Sequence, residues 1–292
     1  MFLERFFNYI TYEKRFSKHT ILAYENDIAQ YRQFLEMQEV DVLSANHHHI
    51  RNWIVFLMEL GTEANTVNRK VSSLRTLYKF LLKENLLDKN PTYHIITPKI
   101  PKKLPVFFEE AKLSQLLDSD VFEKNFSGLR DRLVIEFMFG TGVRLSELIS
   151  LKISDTDLNN QKIKILGKRN RERIVPLTKT LVLLITEYLC LKKDEFIDNN
   201  SDNLIVTDKG LVAYPKLIYR IVKNYLSIIS TQNKKSPHIL RHTFATALLN
   251  AGADINSIKE LLGHANLAST QIYTHNSIER IKSIYKQAHP KA

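Results

Sequence analysis

Six side chains stand out by type and local spacing: Arg144, Lys168, His238, Arg241, His264 and Tyr273. His238 and Arg241 lie in Ser236-Pro237-His238-Ile239-Leu240-Arg241-His242, where Ser236 suits a helix N-cap and Pro237 the first helical position. Spaced three apart, they share a face of that helix's first turn, a place where backbone N–H groups and a guanidinium suit an anion such as phosphate. His238 and His242 are four apart, but a zinc-binding HExxH helix needs Glu beside the first histidine, and Ile239 stands there. Arg144 follows Gly142-Val143, again an arginine after a glycine turn at a helix start. Lys168 sits in Gly167-Lys168-Arg169-Asn170-Arg171, His264 follows Gly263, and Tyr273 comes nine positions later. Each segment alone also fits a plainer role: a capped helix with an ion pair, solvated charges on a turn, or a tyrosine packed on an amphipathic helix.

Taken together, two arginines, two histidines, a lysine and a tyrosine make sense around one phosphodiester. In-line displacement at phosphorus loads negative charge onto the non-bridging oxygens, and fixed guanidinium and imidazole donors stabilise it. A tyrosine hydroxyl titrates near pH ~10, so it needs help losing its proton. Its product would be a covalent phosphoester that keeps the bond energy for rejoining. The chain shows no acidic cluster of the kind Mg²⁺ sites use, so no metal and no cofactor is expected.

The elements that must position these residues divide the chain. Residues 1–90 read as a small helical domain. Ile21, Leu22, Tyr24, Ile28, Tyr31 and Leu35 recur at helical spacing, with Ser17 or Thr20 as cap. A second stripe runs Ile50, Trp53, Ile54, Leu57 and Leu60 to Gly61. A third, Val67, Val71, Leu74, Tyr78 and Leu81, is interleaved with Arg69, Lys70, Arg75 and Lys79. Residues 91–105, with Pro91, Pro98, Pro101, Pro105 and three lysines, read as an extended basic linker. Residues 106–292 form a mixed, mostly helical domain. Leu129–Phe139 is an apolar helix broken at Gly140-Thr141-Gly142, and Arg144–Leu151 is a short helix after that turn. Lys162–Ile165 alternates like a half-buried strand with Ile174-Val175 as its return partner, and Leu204-Ile205-Val206 suggests another short strand.

The bulk properties agree. Lys and Arg number 42 against 31 Asp and Glu, a formal charge of +11 that attracts polyanions. Cys190 is the one cysteine, so no intramolecular disulfide can form; its apolar helical setting predicts a buried thiol. The N-terminus lacks the features of a signal peptide, and no apolar run is long enough to span a bilayer, so no membrane insertion and a cytosolic setting are expected. The run His47-His48-His49 reads as a solvated helix start rather than a metal tract.

The motifs TGVRLSEL, LGKRNRERIVPL, SPHILRHTFAT and LLGHANLASTQIYTH, in this order and spacing, resemble those of tyrosine recombinases of the phage-integrase type, and within them the Xer-type recombinases that resolve chromosome dimers. The resemblance spans nearly the whole chain. It implies a mainly α fold with a small β-sheet in the catalytic domain, arranged as a two-domain C-shaped clamp on duplex DNA with a SAM-like helical core-binding domain in front. It implies that Arg144 and Arg241 clamp the phosphate, Lys168 protonates the leaving 5′ oxygen, His238 assists proton transfer from the tyrosine, His264 hydrogen-bonds the phosphate, and Tyr273 forms a 3′-phosphotyrosyl link. The neighbouring cations Arg169, Arg171 and Arg173 compete with Lys168 for its part. Partners implied are a double-stranded DNA recombination site, a tetramer on two such sites with a second related recombinase, and a DNA translocase as activator; neither ATP nor metal is consumed. Ser277–His289, with Ile278, Ile281, Ile284 and Tyr285 near helical spacing, is expected to dock on a neighbouring protomer. Chromosome dimer resolution is the first expectation, and integration of a mobile element by the same chemistry is the second. A DNA-binding protein without catalysis and a swivelling topoisomerase are further readings.

Overall fold

The computed structural model describes residues 2–100, 108–167, 172–197, 201–231 and 235–263. The chain divides into two compact units, Met1–Leu104 and Pro105–Ala292.

The first unit is helical. Helix α1 (Phe2–Asn8) runs into a π turn (Tyr9–Glu13), followed by α2 (Lys18–Glu36), α3 (His47–Glu59) and α4 (Ala64–Lys83). Ser17 caps α2 by accepting from the Thr20 N–H, and Asn46 caps α3. The three apolar stripes form one core: Ile28, Tyr31 and Leu35 meet Ile50, Trp53 and Leu57, and all five residues of the third stripe are buried. Two expected core residues are exposed. Leu60 lies beyond the last turn of α3, and Leu22 lies one residue round from the half-buried Ile21, off the inward face of α2. His47–His49 are the first turn of α3, and the His49 Nδ1 accepts from the Asn46 N–H at 3.0 Å. Among the described residues, no group of three or more His, Cys, Asp or Glu could hold a metal ion.

Polar bonds tie α2 to α4. Asp27, buried on α2, accepts from both terminal nitrogens of Arg69, at 2.5 and 2.8 Å, and from Lys70 and Ser73. Thus two of the interleaved cations are committed to a carboxylate. A third, Arg75, donates to the Ile95 carbonyl at 2.9 Å. With the buried Thr92 and Ile95 and a 3.1 Å bond from Asn68 to the Pro98 carbonyl, this holds residues 91–98 against the first unit.

The second unit surrounds a central helix. Its order is α5 (Glu110–Leu117), α6 (Phe126–Thr141), α7 (Leu145–Ser150), a 3₁₀ turn (Ile153–Asp155), β1 (Thr156–Asp157), β2 (Lys162–Leu166), β3 (Glu172–Pro176), α8 (Lys179–Glu195), α9 (Pro215–Ile229), α10 (Pro237–Asn250) and α11 (Ile255–Leu262). Helix α6 is buried nearly all round and packs on α8, α9 and α10, as expected of a helix apolar on every face. The sheet is antiparallel in the order β1-β2-β3, with Ile165 opposite Arg173 and Ile163 opposite Val175.

Three readings change. Helix α6 continues through Gly140 and Thr141, whose hydroxyl donates to the Phe137 carbonyl at 2.6 Å, and ends only at Gly142. Leu204-Ile205-Val206 is fully buried but not a strand; it meets its neighbours through single bridges, Lys152 with Asn203 and Val206 with Val212. Apolar runs of this length do not distinguish a strand from a buried irregular segment. Cys190 is exposed, because α8 turns Leu184, Ile185 and Tyr188 inward instead. No described helix is long and apolar enough to cross a membrane.

Candidate active site

The site is built where α6 ends. Gly142 takes the left-handed conformation (φ 61°) that caps the helix, and a Cβ there would run into the Phe244 ring and the Leu262 side chain. Only glycine gives both the dihedral and the room. The turn buries Val143 and delivers Arg144 to the N-cap of α7. Glu147, one turn on, accepts the Arg144 backbone N–H at 2.8 Å and its guanidinium at 2.7 Å, so both backbone and side chain of Arg144 are set by one carboxylate.

Pro237 opens α10 as expected. Ser236 occupies the N-cap position but makes no side-chain capping bond. His238 is exposed on the first turn, as is His242, while Arg241 points inward at 8% exposure. Its guanidinium donates to the Gly142 carbonyl, 99 positions away in sequence, at 2.6 Å, and to the Leu262 carbonyl at 2.5 Å.

The third component is the C-terminal end of α11, capped by Gly263 at φ 64°. A helix's last carbonyls have no intrahelical donor and carry partial negative charge. Here three successive carbonyls each receive a different arginine: Leu261 from Arg173 at 2.8 Å, Leu262 from Arg241 at 2.5 Å, and Gly263 from Arg144 at 2.9 Å. The helix end thus collects guanidiniums from β3, α10 and the start of α7. His264 is the next residue in the chain.

Electrostatics follow from this crowding. Burial would raise the Glu147 carboxyl, but the Arg173 bonds and charge, then Arg144, overcome it and bring it down to about 2. Burial, then the charges of Arg144 and Arg173, lower the Arg241 guanidinium to about 10, against the opposing pull of Glu147; it remains a cation at neutral pH. Among the described residues, one carboxylate stands among three arginines, a surplus of positive charge that suits an anion.

The structure therefore brings Arg144 and Arg241 to one turn and places His238 on the same helix as Arg241. Lys168, His264 and Tyr273 lie outside the described residues, as do Arg169, Arg171 and Ser277–His289. Glu147 escaped the sequence reading, and Arg173 entered it only as a competitor of Lys168. Glu147 had a signal, a carboxylate three residues after a helix start at capping-box spacing. Arg173 had one too: it is in period-two phase with Val175, hence on the buried face of β3.

The phage integrase family pattern matches residues 107–280, and the pattern for the phage integrase N-terminal SAM-like domain matches residues 3–85. The chain is 37% identical to the tyrosine recombinase XerC of Staphylococcus carnosus, covering 99% of this chain and 97% of that protein. It is 39% identical to XerC of Listeria innocua with the same coverage. Among solved structures it is similar to the XerH site-specific recombinase bound to its difH substrate, with TM-score 0.70 and 24% identity over 91% of this chain and 79% of that one.

Proposed function

The chain belongs to the phage integrase family of tyrosine recombinases, and on that premise we propose that it breaks and rejoins DNA strands at specific sites, with Tyr273 as nucleophile. The observation that carries this is the meeting of Arg144 and Arg241 on the carbonyls of Leu262 and Gly263, immediately before His264.

In this mechanism the Tyr273 hydroxyl oxygen attacks phosphorus as His238 assists removal of its proton. The phosphorus–tyrosine bond forms, the bond to the 5′ oxygen breaks, and Lys168 supplies the proton that oxygen takes. Arg144, Arg241 and His264 hold the non-bridging oxygens throughout. The 5′ hydroxyl of a partner strand then attacks the phosphotyrosyl link, releasing Tyr273 and passing the strand across; no net bond energy is lost. Residues 1–90 grip duplex DNA, 91–105 link, and 106–292 cut. Four protomers on two sites exchange one strand pair, pass through a Holliday junction and exchange the second, with a second related recombinase as partner. Resolution of chromosome dimers in the cytoplasm is the role we favour, supported by relatives named XerC that align over nearly their full length; integration of a mobile element uses the same chemistry.

The test uses the full chain and a nicked suicide duplex bearing the DNA recovered by crosslinking in cells. Tyr273→Phe is expected to bind this duplex and form no covalent adduct; an adduct that persists overturns the assignment. The recovered sequence separates a chromosomal site from a mobile-element end. Affinity is expected to fall steeply with salt as cation–phosphate contacts release counterions.

A further inference from the structure

Arg173 is an arginine that DNA cannot reach. Its side chain is 4% exposed, and its fork is fully directed inward. Nη1 and Nη2 donate to the two oxygens of Glu147 at 2.9 and 2.7 Å, and Nε donates to the Leu261 carbonyl at 2.8 Å. Each Glu147 oxygen thereby accepts two bonds, one from Arg173 and one from Arg144, which fills the acceptor sites of a carboxylate. Arg144 is held by Glu147, and Glu147 is held by Arg173.

The same guanidinium reaches the other part of the site. Leu261 is the penultimate residue of α11, two before Gly263, whose carbonyl takes Arg144 and whose own position lies against Arg173: a Cβ at 263 would sit 3.3 Å from its Nη1. A single planar group anchored on β3 therefore fixes the carboxylate that aims Arg144 and the helix end from which the chain continues to His264.

We propose that Arg173 is a positioning residue for strand cleavage, joining Glu147 to the carbonyl end of α11 so that Arg144 is presented to the phosphate in register. The proposal rests on the recombinase reading above. It also removes Arg173 from the cations that compete with Lys168, because a buried guanidinium whose three nitrogens are each engaged by Glu147 or Leu261 is neither a proton donor nor a DNA contact.

Lysine at 173 keeps the charge opposite Glu147 but, as a point charge on a flexible stem, lacks the fork that bonds both carboxylate oxygens and the Leu261 carbonyl at once. Misplacing a phosphate ligand by about 1 Å costs roughly a hundredfold in rate. In full-length Arg173→Lys, duplex affinity at fixed salt is expected within about threefold of the parent, while the first-order rate of adduct formation at saturating protein falls by about a hundredfold. The acid limb of that rate is expected to move to higher pH, since Glu147, faced by Arg144 on its own helix, Arg173 from β3 and Arg241 from α10, loses its bidentate partner; a contribution to folding alone would leave the limb in place. If Arg173→Lys does not fold, Arg173→Gln/Glu147→Gln removes the buried Arg173–Glu147 pair together, so that neither of those two is left as a buried ion without the other, and only the part-exposed Arg144 loses a carboxylate. Its adduct rate is expected to stay at least tenfold below the parent.

A parent-like rate and acid limb in Arg173→Lys, or a parent-like rate in the double variant, overturns the proposal. Adduct formation by Tyr273→Phe on the same duplex overturns instead the nucleophile assignment on which it rests.

Discussion

Asp27 in the first unit and Glu147 in the second are both buried carboxylates gripped by arginine, yet the surroundings differ in one respect that matters. Asp27 takes all its partners, Arg69, Lys70 and Ser73, from the single neighbouring helix α4. It bolts two helices together, and Arg69 stays half exposed at 48%. Glu147 is bonded by guanidiniums from two elements, with a third close by on α10. Those three arginines also turn to helix-end carbonyls, which offer partial charges instead of a second carboxylate. The first cluster sets Asp27 against Arg69 and Lys70, one cation in excess, and finishes a core. The second sets Glu147 against three guanidiniums, two cations in excess among the described residues, a larger surplus that suits an external anion.

The comparison breaks most visibly in cleavage. Arg241→Ala is expected to lower the adduct-forming rate by about 10²–10³-fold, the loss seen when one preorganised donor to a developing oxyanion is removed. Arg69→Ala is expected to leave that rate unchanged at saturating protein and to act only on affinity or stability. Single-turnover assays on the suicide duplex compare the two; equal rate losses would erase the distinction between the clusters.

Stability sharpens it next. Removing one partner of a buried ion pair costs about 3–5 kcal/mol. Glu147→Gln, which leaves three guanidiniums facing one another, is expected at the upper end, and Asp27→Asn at the lower, in urea unfolding. The Glu147 carboxyl titrates lower in the folded protein, at about 2, than its ordinary 4.5. Its contribution, on the order of 3 kcal/mol, is therefore complete above pH ~4.5 and fades as pH falls toward ~2. The parent should lose stability over that window and Glu147→Gln should lose less.

Gly142→Ala comes third. Left-handed backbone costs a β-carbon about 1–2 kcal/mol, and forcing it against Phe244 and Leu262 adds about 1–3 kcal/mol. Both stability and cleavage are expected to fall, since the Gly142 carbonyl is a ligand of Arg241. The smallest effects separate two caps. Asp254 accepts from the Asn256 and Ser257 N–H groups of α11, so Asp254→Ala is expected to cost about 1 kcal/mol. Ser236→Ala at α10, where no capping bond exists, is expected within about 0.5 kcal/mol of the parent in the same melts.

Much of this was legible beforehand, and for local reasons. The helical stripes of the first unit, the Ser17 cap, the antiparallel β2–β3 pair, and the placement of Arg144 at a helix start and Arg241 near one all follow from periodicity and end chemistry. These depend only on residues within a turn or two. The motif set by itself carries the family resemblance. Short-range pattern failed where a residue's environment comes from distant chain. Cys190 shares its apolar stretch with buried neighbours but falls on the outer face of α8, and Leu204–Val206 is buried without strand pairing. Lys70 is interleaved with the apolar stripe of α4, and nothing local indicates that Asp27 on α2 would meet it.

The sequence by itself determined which side chains are available and which helix or strand each rides on. Only the tertiary structure decided that Arg144, Arg173 and Arg241 converge on consecutive carbonyls of α11, and that Glu147 stands among them. The physical reason is that backbone dihedrals and side-chain periodicity are local. The burial of a charge, and the partners that make it tolerable, are set by contacts more than a hundred positions apart, such as that between Arg144 and Gly263.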